Sequence, residues 1–393
     1  MPVDNRFCHQ AYTSALPHAP YHLLCPHLPP QPGTLAFQQG MARFGKALSE
    51  VGVVAIYLVH GTFTGNDAFG LIREVGRWLP DAAETLERQR KQLVDSFMTE
   101  SGNYTQQFAS LLQQALNAGQ TRQKIEVRLF RWSSENHHSG RAVAAWDLAN
   151  EIQQHFGQAR RIMLWGHSHA GNVFALLTHL NSSTETSELR QFRRIIRTLK
   201  PPAVANVSPT DVRPEVLLDP SFPALDIVTF GTPIRYGWET SGYESLLHFV
   251  HHQPSGSLPD ADYLSALHGD WSELGKRIVE SGFPAGDWVH QIGVAGSNFW
   301  PYLLSWRKQV AERALRTLIE QGIRRRDLVA RLRLGQRVPS EGTTFLVDYQ
   351  DSPNQLEQQM LGHAIYTRTE WLYFHMEKIT HSLCHSQEDG TRS

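Results

Sequence analysis

Residues 161–180 read RIMLWGHSHAGNVFALLTHL. The opening, Arg161–Trp165, is a short apolar run of strand type. The close, from Asn172 on, repeats apolar residues at helical spacing. Between them stand Gly166-His167-Ser168-His169-Ala170-Gly171. A serine at a sharp strand-to-helix turn, with small residues two before and two after, is the sequence form of a nucleophile elbow. The small residues let the helix cross close to the strand, and the strained turn lifts the hydroxyl above the sheet. Gly166 fills the first small position; Ala170 fills the second with one extra methyl, and Gly171 follows directly. This context makes Ser168 the candidate nucleophile. His167 and His169 flank it, but the turn points its neighbours away, so the base is expected from a distant loop.

Similar apolar runs recur along the chain at Val51–Val59, Lys124–Phe130, Asp226–Phe230, Ser245–Val250 and Thr343–Tyr349. The first is apolar throughout, as expected of a strand buried on both faces of a parallel sheet. Helical patterning fills Ala82–Met98, Tyr104–Leu116, Gly140–Phe156, Asn172–His179, Leu189–Leu199, Asn298–Gln321, Ile323–Leu334 and Thr369–Leu383. Strands alternating with helices give βαβ units, so the fold class is α/β with a mostly parallel central sheet and helices on both faces. Residues 1–40 hold seven prolines and read as an extended arm, leaving 41–393 as the main domain. The arm's Cys8, His9, His18, His22, Cys25 and His27 have no zinc-site spacing, and no metal is expected there. The basic run Arg324, Arg325, Arg326, Arg331 and Arg333 reads as a solvated helix face.

Composition excludes several classes. Lys and Arg total 37 against 38 Asp and Glu, so no electrostatic argument favours nucleic acid or an anionic membrane. Ten Trp and eighteen Phe in 393 residues supply the apolar area of a folded chain rather than a disordered one. Three cysteines cannot form a disulfide framework, which suits a reducing compartment. The first residues lack a basic segment followed by an apolar core, and no run approaches the ~20 apolar residues that span a bilayer. A cytoplasmic protein without an integral membrane segment is expected, although export without a signal would leave the same sequence.

The strand Val51–Val59 ends in His60-Gly61-Thr62-Phe63, a turn whose glycine lets the chain approach a neighbour closely. One oxyanion donor is assigned to the N–H of Thr62, with Phe63 as the alternative, and the other to the N–H of His169. These motifs, with Phe230-Gly231-Thr232-Pro233 and Arg131-Trp132-Ser133-Ser134-Glu135-Asn136, resemble the lipase-like branch of the α/β-hydrolase superfamily. They are similar to segments of bacterial triacylglycerol lipases and GPI inositol-deacylase-like lipases, discontinuously over about residues 50–385. The resemblance implies an α/β-hydrolase fold, with a cap from insertions at about 66–118 and 251–286. It also implies the chain order Ser, acid, His.

That order places the base between the last strand and last helix, where Leu361-Gly362-His363-Ala364 lies. His363 is the expected base, with His290, His375 and the His248/His251/His252 group as competitors. Asp287, in Gly286-Asp287-Trp288-Val289, resembles the acid of lipases, in which a valine follows closely. Asp348, closing the last strand, is the alternative acid; Asp260 and Asp262 read as a solvated turn. The implied activity is hydrolysis of a small-molecule or lipid carboxylic ester through an acyl-enzyme, without a cofactor. An acyltransferase or thioesterase with the same triad, or a non-catalytic binding protein of this fold, stands as the alternative.

Overall fold

The computed structural model describes residues 19–61, 103–119, 123–157, 159–182, 185–199, 222–252, 286–295, 306–319, 338–349 and 362–389. Seven strands make one sheet: β1 (Tyr21–Leu24), β2 (Val53–Val59), β3 (Glu126–Phe130), β4 (Arg161–His167), β5 (Ala224–Phe230), β6 (Ser245–His251) and β7 (Thr343–Val347). Their order is β1-β7-β6-β5-β4-β2-β3, and every pair is parallel. Among the described residues eight α-helices accompany them: α1 (Leu35–Glu50), α2 (Gln106–Leu116), α3 (His138–Phe156), α4 (Ala170–Leu180), α5 (Ser187–Leu199), α6 (Trp288–Ala295), α7 (Trp306–Ile319) and α8 (Leu372–Asp389).

Strand periodicity sorts the core into two layers. Ile162 and Leu164 point to one face, where α3, α4, α5 and α7 pack. Met163 and Trp165 point to the other, covered by α1, α2 and α8. Burial on both faces explains why these strands read as continuous apolar runs. At the amino ends of the strands, Arg161 grips Asp226 with two hydrogen bonds of 2.5 and 2.7 Å, and Ser245 donates to the same carboxylate at 2.7 Å. This pins β4, β5 and β6 in register, Asp226 standing opposite Ser245.

Three elements differ from the sequence expectation. Residues 21–24 of the arm are a sheet strand, pairing Leu24 with Val347 at the edge. Its four residues do not alternate in exposure, His22 and Leu23 both being exposed, and are too few for a readable period. The helix α1 begins inside the arm at Leu35, capped by the Thr34 hydroxyl on the Phe37 N–H, and buries Phe37, Met41 and Leu48. Residues 103–118, expected within a cap, instead carry α2, whose Phe108, Ala109, Leu112 and Leu116 stripe is buried on the sheet flank. Cap residues 66–102 and 253–285 lie outside the described residues, as do the helical stretches Ala82–Met98 and Ile323–Leu334.

No helix among the described residues is long and apolar enough to cross a membrane. Core chemistry sets one pH response. His375 of α8 is fully buried against Trp165, Phe230 and Phe249, with Tyr349 Oη 2.8 Å from its Nε2. Burial pushes its pKa down to about 3. The folded ring therefore stays neutral where an unfolded ring takes a proton below about pH 6.5, so stability is complete above that value and falls as pH drops toward 3. Replacing His375 with Phe should reduce the loss of unfolding free energy between pH 7 and pH 5 by about 2 kcal/mol, read by urea titration at both pH values. The lost Tyr349 contact lowers stability equally at both.

Candidate active site

The chain winds onto opposite faces from adjacent strands: α2 follows β2 on one face, while α4 follows β4 on the other. In parallel α/β sheets such a switch opens a crevice at the carboxyl edge, where ligands bind. Val59 of β2 is level with Gly166 of β4, and His167 with Phe230 of β5, so the three strand ends stop together.

Ser168 occupies this crevice at φ 57°, a left-handed conformation that costs a non-glycine residue of order 1–3 kcal/mol. The strain is held by neighbours. Ser168 N–H donates to Phe230 O at 2.8 Å, and its carbonyl accepts from Thr232 Oγ1 at 2.7 Å and from Gly171 N at 3.2 Å. Thr232 belongs to the Gly-Thr-Pro turn after β5, so that motif braces the serine turn. Any Cβ at Gly166 would collide with the Phe174 ring of α4, and the methyl of Ala170 faces this same gap. The extra methyl at Ala170 is accommodated because Gly166 has none.

His169 is the N-cap of α4, so its backbone N–H belongs to the positive end of that helix, where no preceding carbonyl of the helix reaches it. Its side chain is buried, and burial, with Arg141, Arg235 and His363 nearby, lowers its pKa well below 6.5. Gly61 lies against the serine: a Cβ there would stand 2.5 Å from Ser168 Cβ and 3.1 Å from its Oγ. Thr62 and Phe63 lie outside the described residues. The approach to them is clamped by the Arg-Trp-Ser-Ser-Glu-Asn segment after β3. Trp132 donates its indole N–H to His60 O at 2.8 Å and its backbone N–H to His60 Nε2 at 3.3 Å, with the two rings stacked. Burial lowers the His60 pKa, Arg131 adding to this and the Gly61 carbonyl opposing it; the ring's Nδ1 lies 2.9 Å from Gly61 O.

His363 and Asp287 meet beside His167, the residue before Ser168. Asp287 Oδ2 lies 2.8 Å from His363 Nδ1, and both residues are buried. Asp287 directly precedes α6, and its Oδ1 accepts the His290 N–H at 2.8 Å in the manner of an N-cap. Burial works to raise its pKa, yet the His363 ring and His290 outweigh this and hold the carboxyl down at about 2. An ionised carboxylate only accepts hydrogen bonds, so Nδ1 of His363 carries the proton between them, and the one ring nitrogen left to act as a base is Nε2. Among the described residues, that Nε2 is buried and makes no hydrogen bond. His167, the residue before Ser168, ties the ring to the elbow: its Nε2 is 2.9 Å from His363 O and its ring 4.4 Å from the His363 ring.

The loops bearing this pair cross in backbone contact. Gly362 is at φ 82°, and a Cβ on it would collide with Gly286 O. Only a residue without a side chain lets the loops of Asp287 and His363 pass so closely. Although 35 residues separate His251 from Asp287, the chain returns to the end of β6, where Asp287 N–H donates to His251 O at 3.2 Å.

Of the other sequence candidates, His290 and His251 adjoin the pair through Asp287 and Gly362, and three lie elsewhere. Asp348 closes β7 toward the arm, its N–H bonded to Leu24 O and its Oδ2 3.9 Å from Cys25 Sγ. His248 is 2.6 Å from Thr229 Oγ1 within the sheet, and His375 belongs to the core. Asp260 and Asp262 lie outside the described residues. Sequence reading did not single out Tyr366, whose hydroxyl donates to Asp287 Oδ2 at 2.8 Å; its only signal was proximity, three positions after His363.

Among the described residues, no group of three or more His, Cys, Asp or Glu side chains is arranged to hold a metal ion. No protein-family model matches the chain, and neither a curated protein nor a solved structure does.

Proposed function

We propose that this chain is a serine hydrolase of the α/β-hydrolase fold that cleaves carboxylic esters. The observation that carries the reading is a strained Ser168 at the carboxyl edge of β4 whose neighbour His167 packs on the ring of a buried His363–Asp287 pair. In this mechanism the Ser168 hydroxyl attacks the acyl carbon while His363 Nε2 takes its proton, and Asp287 orients and stabilises the imidazolium. The N–H groups of His169 and Thr62 receive the oxyanion of the tetrahedral intermediate. His363 then returns the proton to the departing alcohol, and water, activated by the same ring, releases the acid and frees Ser168.

The alcohol leaves before the acid in this scheme, and pre-steady-state kinetics therefore test it. With p-nitrophenyl esters of increasing chain length, nitrophenol should appear as a burst of about one equivalent per chain wherever acylation outpaces deacylation. Absence of both burst and turnover across the series, from acetate to long acyl chains, counts against an ester hydrolase.

A further inference from the structure

The acid of the pair has a second side-chain donor that the reading above leaves unused. Tyr366 Oη donates to Asp287 Oδ2, the same oxygen that faces His363 Nδ1. The tyrosine oxygen in turn accepts the backbone N–H of His251 at 2.7 Å, so the end of β6 aims the phenol. Space for it comes from the turn after β5: Gly231 is at φ 58°, and a Cβ there would lie 2.5 Å from the Tyr366 ring and 2.6 Å from Asp287 Oδ2. The ring is wholly buried and edge-on to His363, at 6.1 Å between centroids and 88° between planes.

We infer that Tyr366 is a positioning residue for this site, whose hydrogen bond holds Asp287 Oδ2 in line with His363 and moderates how strongly that oxygen attracts the ring's proton. The inference rests on the hydrolase reading. Two donors share one oxygen, so each takes part of its negative charge; a chain from the His251 N–H through the phenol to the carboxylate polarises in one direction. Burial, with Asp287 and Tyr349 beside it, raises the Tyr366 pKa well above 10, and the phenol remains a donor across the working range. Other titratable groups around the pair are His167 and His169 on the serine side, His251 at the end of β6, His290 on α6, Tyr349 after β7 and Tyr104 before α2. None of the hydrogen bonds described for them ends on Oδ2.

Removing the phenol oxygen leaves Asp287 anchored through Oδ1 and its backbone N–H, with Oδ2 facing His363 alone. The undivided charge should then raise the proton affinity of the imidazole. In Tyr366→Phe, kcat for a p-nitrophenyl ester should fall about tenfold with KM within about twofold. The acid limb of its pH–rate profile should move upward by about half a pH unit. A difluorotyrosine at position 366, of similar shape but a stronger donor, should move the limb downward, and it serves if the phenylalanine variant folds poorly. An acid limb that stays fixed, or moves in the opposite sense, in either variant overturns the inference. Ser168→Ala is run alongside: retained turnover there refutes the hydrolase reading and the inference with it. Serine-dependent turnover with an unchanged Tyr366 variant refutes the Tyr366 assignment alone.

Discussion

Ser168→Ala should lower kcat for a soluble ester by about 1,000-fold or more while leaving the fold and thermal stability close to the parent. Under the proposed mechanism the loss is large because water cannot replace an alkoxide generated in place: the alanine variant would keep the proposed oxyanion donors but form no acyl-enzyme. The fold should survive because the hydroxyl takes no part in bracing the turn. That bracing is done by the Ser168 N–H to Phe230 O and by its carbonyl, which accepts from Thr232 and Gly171. Alanine at φ 57° is as strained as serine, so the substitution changes chemistry more than conformation. Kinetics on p-nitrophenyl esters with a melting curve on the same samples check both halves.

The second large effect is at the acid. Asp287→Asn should cost about 10,000-fold in kcat, because an amide can donate to His363 Nδ1 and so hold the ring in the tautomer whose Nε2 already carries the proton. Such a ring cannot accept the proton of Ser168. The same substitution also removes the negative charge that stabilises the imidazolium in the transition state. Asp348→Asn is the internal control. It lies at the end of β7 beside Leu24 and Cys25, away from the ring, so its kcat should remain within about twofold of the parent. Equal losses in the two variants would dissolve the distinction between them.

The parts of the fold readable from sequence are those written in local pattern. The runs Val51–Val59, Lys124–Phe130, Arg161–Trp165, Asp226–Phe230, Ser245–Val250 and Thr343–Tyr349 coincide with β2 to β7; a strand covered on both faces, such as β2, is apolar at nearly every position, whereas the edge strand β3 keeps Glu126 and Arg128. The turn at Ser168 is readable for the same reason: Gly166, Ser168 and Gly171 meet their steric demands within six residues. What escaped depends on contacts between distant segments. Tyr21–Leu24 is a strand only because the edge of β7 is there to receive it. The helix α6 has eight residues, too few for periodicity to stand out. Asp287 is named only through its resemblance to the acid of lipases: it sits 36 positions beyond the end of β6, and nothing in the intervening sequence says that the chain comes back to His251. Tyr366 reaches the carboxylate through tertiary packing with Gly231, a contact no spacing rule encodes.

The central claim is that Ser168 is a nucleophile activated by its surroundings, and covalent labelling tests it most directly. The full-length chain is incubated with a fluorophosphonate probe, digested, and its adduct located by tandem mass spectrometry. The account predicts one adduct per chain, on Ser168, which disappears in Ser168→Ala and forms far more slowly in Asp287→Asn. Labelling that persists undiminished in Ser168→Ala, or a chain that never reacts at Ser168 while correctly folded, would contradict it.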